Sequence, residues 1–167
     1  ATIQPISILA AAFTATSAVT VTGLNVVDTA NYTTFGQLVI AALIQFGGLG
    51  FMTFAILVLT SLQGKMGLSG SITAQEALGT HSNQIGSTAK AVIKIAFITE
   101  SLGFLGLTLL LAPLKGLKDA MYEAFFLCIS AFNNAGFALN GNNMTAYVHQ
   151  PMISFIISLL IITGGIG

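Results

Sequence analysis

Two short polar segments carry the residue types in this sequence that could bind a cation. They are residues 20–23, with the sequence TVTG, and residues 133–136, with the sequence NNAG. Glycine reaches positive φ at little steric cost, so the neighbouring carbonyls can turn toward one side of the chain. Carbonyl oxygens that face a cavity can replace the hydration shell of a cation. Neither segment holds a carboxylate, which favours a monovalent cation over calcium.

Each glycine turn follows an apolar stretch that is too short to cross a membrane. These stretches cover residues 5–19 and 119–132, whereas a spanning helix needs about 20 apolar residues. A short apolar helix that ends in a polar turn and is followed by a polar loop favours a re-entrant segment. Its C-terminal end would direct roughly half a negative charge at the turn.

Three longer apolar stretches predict spanning helices. They cover residues 35–63, residues 88–112 (closed by Pro113) and residues 151–167. Only 6% of the chain is charged, against about 25% in soluble domains. The sequence therefore predicts an all-α, multi-pass membrane protein whose surroundings are lipid. Its net charge of zero gives no reason to expect nucleic acid as a partner.

The polar linker, the chain ends and the histidines give further predictions about how the chain is organised. The polar residues 64–87 read as a cytoplasmic linker, and the start at Ala1 together with an end inside an apolar run indicates a fragment of a longer protein. His81 and His149 read as ordinary loop residues without metal-ligand spacing. Since no nucleophile, base or metal set converges in the sequence, we expect no enzyme activity.

An internal repeat relates the two halves of the chain. The segment LIQFGGLG (43–50) matches LIITGGIG (160–167) at an offset of 117, and the turns match at an offset of 113. Both copies run in the same sense, whereas a secondary transporter with broken helices, the less favoured alternative, predicts inverted repeats. The residue pairs that match around the turns are Phe13 with Phe126, Ser17 with Ser130, Ala18 with Ala131, and Gly23 with Gly136.

Four ordered strings resemble the Ktr/Trk/HKT superfamily of potassium transporters, and most of all its KtrB-type membrane subunits. They are TATSAVTVTGLNVVDT, LIQFGGLGFMTF, SAFNNAGF and LLIITGGIG. The resemblance implies potassium uptake across the cell (inner) membrane through four helix–pore-helix–filter–helix repeats around one pore. Residues 1–63 would form the first repeat without its opening helix, and residues 88–167 the second. The third and fourth repeats would complete the filter, so this fragment alone should not conduct.

The resemblance also implies the site and the partners. The filters would be residues 20–24 and 133–137, and the cargo would be K⁺, with no organic cofactor in this chain. A homodimer and a cytoplasmic nucleotide-binding ring are implied as partners, with nucleotide bound only by the ring. A sodium-permeable or sodium-coupled member of the same family stays open. The implied site consists of filter glycines Gly23 and Gly136, potassium ligands in the carbonyls of Val21, Thr22, Asn134 and Ala135, and flanking residues Thr20 and Asn133.

For each of three acidic residues, the sequence leaves two alternative roles open. Glu100 lies in the middle of a predicted span, where an ionisable group is a functional candidate, or else it is satisfied by a neighbouring helix. Asp28 follows the first turn and either attracts cations to a pore mouth or is a solvated loop acid. Asp119 is expected at the N-cap or in the first turn of the second short helix. The GGxG glycines predict close helix contact or a hinge.

Overall fold

A computed structural model describes residues 2, 3, 5–50, 82–141 and 143–166 of the chain. Apart from an isolated bridge between Thr2 and Tyr32, every regular element in these ranges is helical. The α-helices are α1 (Ile8–Val19), α2 (Thr34–Gly48), α3 (Ser82–Lys115), α4 (Leu117–Phe132) and α5 (Pro151–Ile166). Two 3₁₀ turns, Thr29–Asn31 and Asn143–Tyr147, lie in the loops after α1 and α4.

Local sequence signals explain where the helices begin. The hydroxyl oxygens of Ser7 and Thr33 accept hydrogen bonds from Ala10 N at 3.1 Å and from Gly36 N at 3.3 Å. Each therefore satisfies one of the free amides in the first turn of α1 and α2. Pro151 opens α5, where the missing amide of proline costs no helical hydrogen bond.

Helix α3 differs from the expectation at both of its ends. It begins at Ser82, within the predicted linker, and continues through Pro113 to Lys115. The expectation that Pro113 closes this helix is therefore wrong. Because Pro113 stands in the last turn, the helix loses one backbone hydrogen bond there and keeps the rest. Helix α2 ends at Gly48 with Leu49 as its C-cap, so the prediction of one continuous helix over residues 35–63 is wrong there. Residues 51–81 lie outside the described residues, together with the rest of that predicted span, most of the linker 64–87 and His81.

Helix α4 lies at the centre and joins two apolar clusters. One face packs with α3 and α5 around Leu107, Leu111 and Ile153. Another face contributes Phe126 and Ile129 to a cluster with α1 and α2. We call residues 5–50 the first unit and residues 82–166 the second unit. Among the described helices of the second unit, α4 packs most extensively against the first unit.

Candidate functional site

The first turn (residues 20–23) closes the C-terminal end of α1. Val21 N donates to Ala18 O at 3.3 Å and Thr22 N donates to Ser17 O at 3.0 Å. Val21 has φ of 56° and Gly23 has φ of 76°. This is the arrangement in which a left-handed residue ends a helix and hydrogen bonds cross its last turn.

The second turn (residues 133–136) repeats this geometry at the end of α4. Asn134 N donates to Ala131 O at 3.1 Å and Ala135 N donates to Ser130 O at 2.7 Å. Asn134 has φ of 57° and Gly136 has φ of 74°. The two turns are therefore the same backbone structure formed twice, at the offset that the sequence repeat predicts.

The two turns lie against each other. A Cβ atom built on Gly136 would lie 3.6 Å from the Cα atom of Gly23. A Cβ atom built on Gly23 would lie 2.6 Å from the carbonyl oxygen of Ala135, closer than side chains tolerate. Both glycines have a positive φ, which favours glycine, and at Gly23 the Ala135 carbonyl also leaves no room for a Cβ atom.

The carbonyl groups around the glycines are the candidate ligands of the site. Among the described residues, no hydrogen bond ends on the carbonyl oxygen of Val21, Thr22, Asn134 or Ala135. A carbonyl left without a partner away from water costs free energy, so a cation or water is the expected partner. This chemistry suits an ion that must bind and leave, since no fixed negative charge holds it.

Hydroxyl groups next to each turn form hydrogen bonds that stabilise it. The hydroxyl oxygens of Ser17 and Thr22 lie 2.9 Å apart in the first turn. In the second turn the hydroxyl of Ser130 donates to Phe137 O at 2.6 Å. Equivalent serines therefore fasten the segment beyond each left-handed residue to the helix that precedes it.

The GGxG glycines seat the following helix on the end of the short helix. A Cβ atom on Gly47 would overlap the carbonyl oxygen of Val19, the last residue of α1. A Cβ atom on Gly164 would overlap the carbonyl oxygen of Phe132, the last residue of α4. The predicted close helix contact is confirmed at both places, and only glycine permits it.

Glu100 is bonded to the first unit. Gln45 Nε2 donates to Glu100 Oε1 at 2.9 Å and to Glu100 Oε2 at 3.1 Å. Asn133 Nδ2 in turn donates to Gln45 Oε1 at 2.9 Å. Glu100 thus has a hydrogen-bond partner on a neighbouring helix, as the second of the two alternatives predicts. Gln45 was not predicted as the partner of Glu100, although a polar residue within a predicted span is a signal for such a bond.

A second polar cluster fastens the start of α4 to the loop after the second turn. Buried Glu123 accepts from Lys115 Nζ at 2.6 Å, from Asn140 Nδ2 at 2.6 Å and from the hydroxyl of Tyr147. Burial, and then the bond to Glu123, raise the pKa of Tyr147, so this hydroxyl is a donor at neutral pH. Sequence reasoning missed this cluster, because its members come from four separate segments.

The acidic residues near the turns have simpler settings. Asp28 is exposed and caps the 3₁₀ turn after the first turn through its backbone, without a side-chain hydrogen bond to the helix start. One carboxylate oxygen of Asp28 lies 3.9 Å from the Cβ position of Gly141, in the loop after the second turn. Asp119 lies in the first turn of α4, whose N-cap is Gly116. A negative charge there stabilises the helix, because it interacts favourably with the positive end of the helix dipole.

The described residues thus form an all-helical protein with two glycine turns of the same backbone geometry. In a comparison with protein families, the family model TrkH, described as cation transport protein, matches residues 2–167. The chain belongs to this family of cation transport proteins.

Individual relatives give the same family. The chain is 46% identical over 99% of its length to Ktr system potassium uptake protein B of Bacillus subtilis, and 40% identical over 99% to the protein of the same name from Vibrio alginolyticus. It is 36% identical over 94% of its length to potassium/sodium uptake protein NtpJ of Enterococcus hirae. It spans 38%, 37% and 35% of the lengths of these relatives, respectively.

Proposed function

We propose that this chain supplies two filter turns of a potassium uptake protein in the cell membrane. The carbonyls of Val21, Thr22, Asn134 and Ala135 would replace water around the ion. The observation that carries the proposal is the meeting of two identical turns, with the Cα atom of Gly23 3.6 Å from the Cβ position of Gly136. Two like turns at one place are what a pore built from repeats requires.

Helix lengths support a re-entrant arrangement. At 1.5 Å per residue, the 12 residues of α1 and the 16 of α4 rise about 18 and 24 Å, short of the roughly 30 Å of a bilayer core. By contrast, the apolar part of α3, Lys90–Lys115, has 26 residues, enough to cross. Both short helices also direct the negative ends of their dipoles at the turns, which favours a cation there.

The choice of ion follows from the relatives. Two of them are named potassium uptake proteins, which favours potassium as the cargo. The third is named a potassium/sodium uptake protein, which supports a sodium-permeable pore as the second candidate. The implied homodimer and the cytoplasmic nucleotide-binding ring stay predictions from the resemblance.

Replacement of Gly136 by serine in the full-length protein tests the filter assignment. A Cβ atom at φ of 74° strains the backbone and should turn the neighbouring carbonyls. We expect the preference for K⁺ over Na⁺ to fall about tenfold, the equivalent of roughly 1.4 kcal/mol. The measurement is competition of K⁺ and Na⁺ with radioactive Rb⁺ influx into proteoliposomes.

Gly116→Ser is the matched control. Gly116 has φ of 83°, and a Cβ atom there would meet nothing within 4 Å. It shares the backbone strain but lies at the start of α4, at the opposite end from the turn. An unchanged ion preference in Gly136→Ser, or an equal loss in Gly116→Ser, would contradict the filter assignment. A wild-type protein that takes up Na⁺ as readily as K⁺ would favour the second candidate.

A further inference from the structure

A chain of hydrogen bonds leads from Glu100 to the residue that begins the second turn. The carboxylate accepts both hydrogen bonds from Gln45 Nε2, so it fixes which way the Gln45 amide faces. The amide oxygen of Gln45 then receives Asn133 Nδ2. Asn133 immediately precedes Asn134, the residue of the turn with φ of 57°.

The equivalent positions in the other copy lack this chain. Thr20 stands where Asn133 stands, and its hydroxyl donates to Thr16 O in its own helix at 2.8 Å. Ile162 stands where Gln45 stands, and its side chain has no polar group. Because the first turn has the same backbone geometry without such a chain, the chain is not needed simply to form a turn.

Glu100 is not placed as an ion ligand. Its side chain lines a cleft of about 190 Å³ together with Phe97, Phe104 and Phe125. The second turn lines a different cavity of about 180 Å³ through Asn134 and Gly136. The two cavities share no lining residue. The hydrogen-bonded route from Glu100 to the turn runs through Gln45 and Asn133.

Gln45 is one of two hydrogen-bond partners that orient the Asn133 side chain. Asn133 is 7% exposed. Among the described residues, its Nδ2 bonds only Ile129 O and Gln45 Oε1, and its Oδ1 has no hydrogen-bond partner. If Gln45 loses its fixed orientation, the buried Asn133 amide keeps a single tie to its own helix. An amide with both ends poorly satisfied is held less firmly, although it still packs against Gly48, and the turn that follows loses part of its support.

We propose that Glu100 is a positioning residue that, through Gln45 and Asn133, holds the second turn in the geometry that selects K⁺ over Na⁺. This inference rests on the proposed function of the second turn. It assigns Glu100 a role in ion preference without contact to the ion, and it makes the two units interdependent at the filter. Hydrogen-bonded networks of this kind hold the groups that touch a ligand within a narrow range of positions.

The test uses the full-length protein in proteoliposomes, with Rb⁺ influx competed by K⁺ and by Na⁺. Glu100→Leu removes the acceptor at the start of the chain, and Gln45→Met cuts the chain in the middle, should Glu100→Leu fail to accumulate. The exchange Gln45→Glu with Glu100→Gln keeps both links, since a carboxylate at 45 accepts from Gln at 100 and from Asn133. Ser101→Ala is the control, because among the described residues Ser101 bonds only Phe97 O of its own helix.

We expect the broken variants to lose about tenfold in K⁺ preference, the equivalent of one hydrogen bond, while influx itself persists. The exchange and Ser101→Ala should stay within about twofold of wild type, since they keep the links. Unchanged ion preference in a folded broken variant, a fall in influx without a change in preference, or failure of the exchange to restore preference would overturn the role of Glu100. If Gly136→Ser keeps its preference as well, the filter assignment itself fails, and the two failures are thereby distinguished.

Discussion

At Val21 a β-branched residue adopts φ of 56°, a region that such side chains avoid. Left-handed backbone costs an L-residue about 1–2 kcal/mol. Two backbone hydrogen bonds across the last turn of α1, and packing of the Val21 side chain against the cluster between α1, α2 and α4, hold it there. Strain that is held in place by its surroundings is common where backbone atoms bind a ligand.

Asn134 allows the strain to be measured. It has φ of 57° and an exposed side chain, so a change there alters backbone preference with little effect on packing. We expect Asn134→Val to lower the free energy of unfolding relative to Asn134→Gly by about 1–2 kcal/mol. Thermal unfolding of both variants in detergent measures the difference. Equal stability would show that the turn relaxes to another conformation when its residue type changes.

Helix α5 approaches the end of α4 so closely that one glycine cannot be replaced. A Cβ atom on Gly164 would overlap Phe132 O, whereas one on Gly165 would lie 3.6 Å from Asn134 Nδ2, an ordinary contact. We therefore expect Gly164→Ala to destabilise the protein by at least about 1–3 kcal/mol and Gly165→Ala to be tolerated. The yield of folded protein and its melting temperature in detergent test this pair. Similar behaviour of the two variants would contradict the seating of α5 on α4.

The start of α4 depends on the buried carboxylate of Glu123. It accepts hydrogen bonds from Lys115, Asn140 and Tyr147, and hydrogen bonds to charged groups contribute about 1.5–3 kcal/mol. Glu123→Gln should lower the free energy of unfolding by about that amount, because the amide supplies one acceptor instead of two. Exposed Asp119, one helical turn earlier, is the control, and Asp119→Asn should cost about 0.5 kcal/mol. Equal melting temperatures for the two variants would argue against a tether at Glu123.

The sequence predicted the helical elements better than the bonds between them. The glycine turns and the close contact at Gly47 could be read directly, because both depend on residue types in a fixed local order. The link from Gln45 to Glu100 could not, since it joins positions far apart in the chain and depends on how α2 packs against α3 and α4. The prediction that Pro113 ends α3 was wrong because the effect of proline depends on its position. Within the last turn of a helix, the loss of one backbone hydrogen bond destabilises the helix little.

The proposed re-entrant helices predict which segments of the chain lie on the same side of the membrane. Re-entrant helices return the chain to the side from which they started, so the loops after both turns and the junction between α3 and α4 should share one face, with Lys90 on the other. Single cysteines at Asn25, Lys118 and His149, in a full-length protein without other cysteines, should react with a membrane-impermeant maleimide added outside intact cells. A cysteine at Lys90 should react only after lysis, because the apolar part of α3 is long enough to span a core of about 30 Å. Labelling of Lys118 and His149 from opposite sides would mean that α4 crosses the bilayer, and the second turn would then lie at the membrane surface, where bulk water already hydrates the ion.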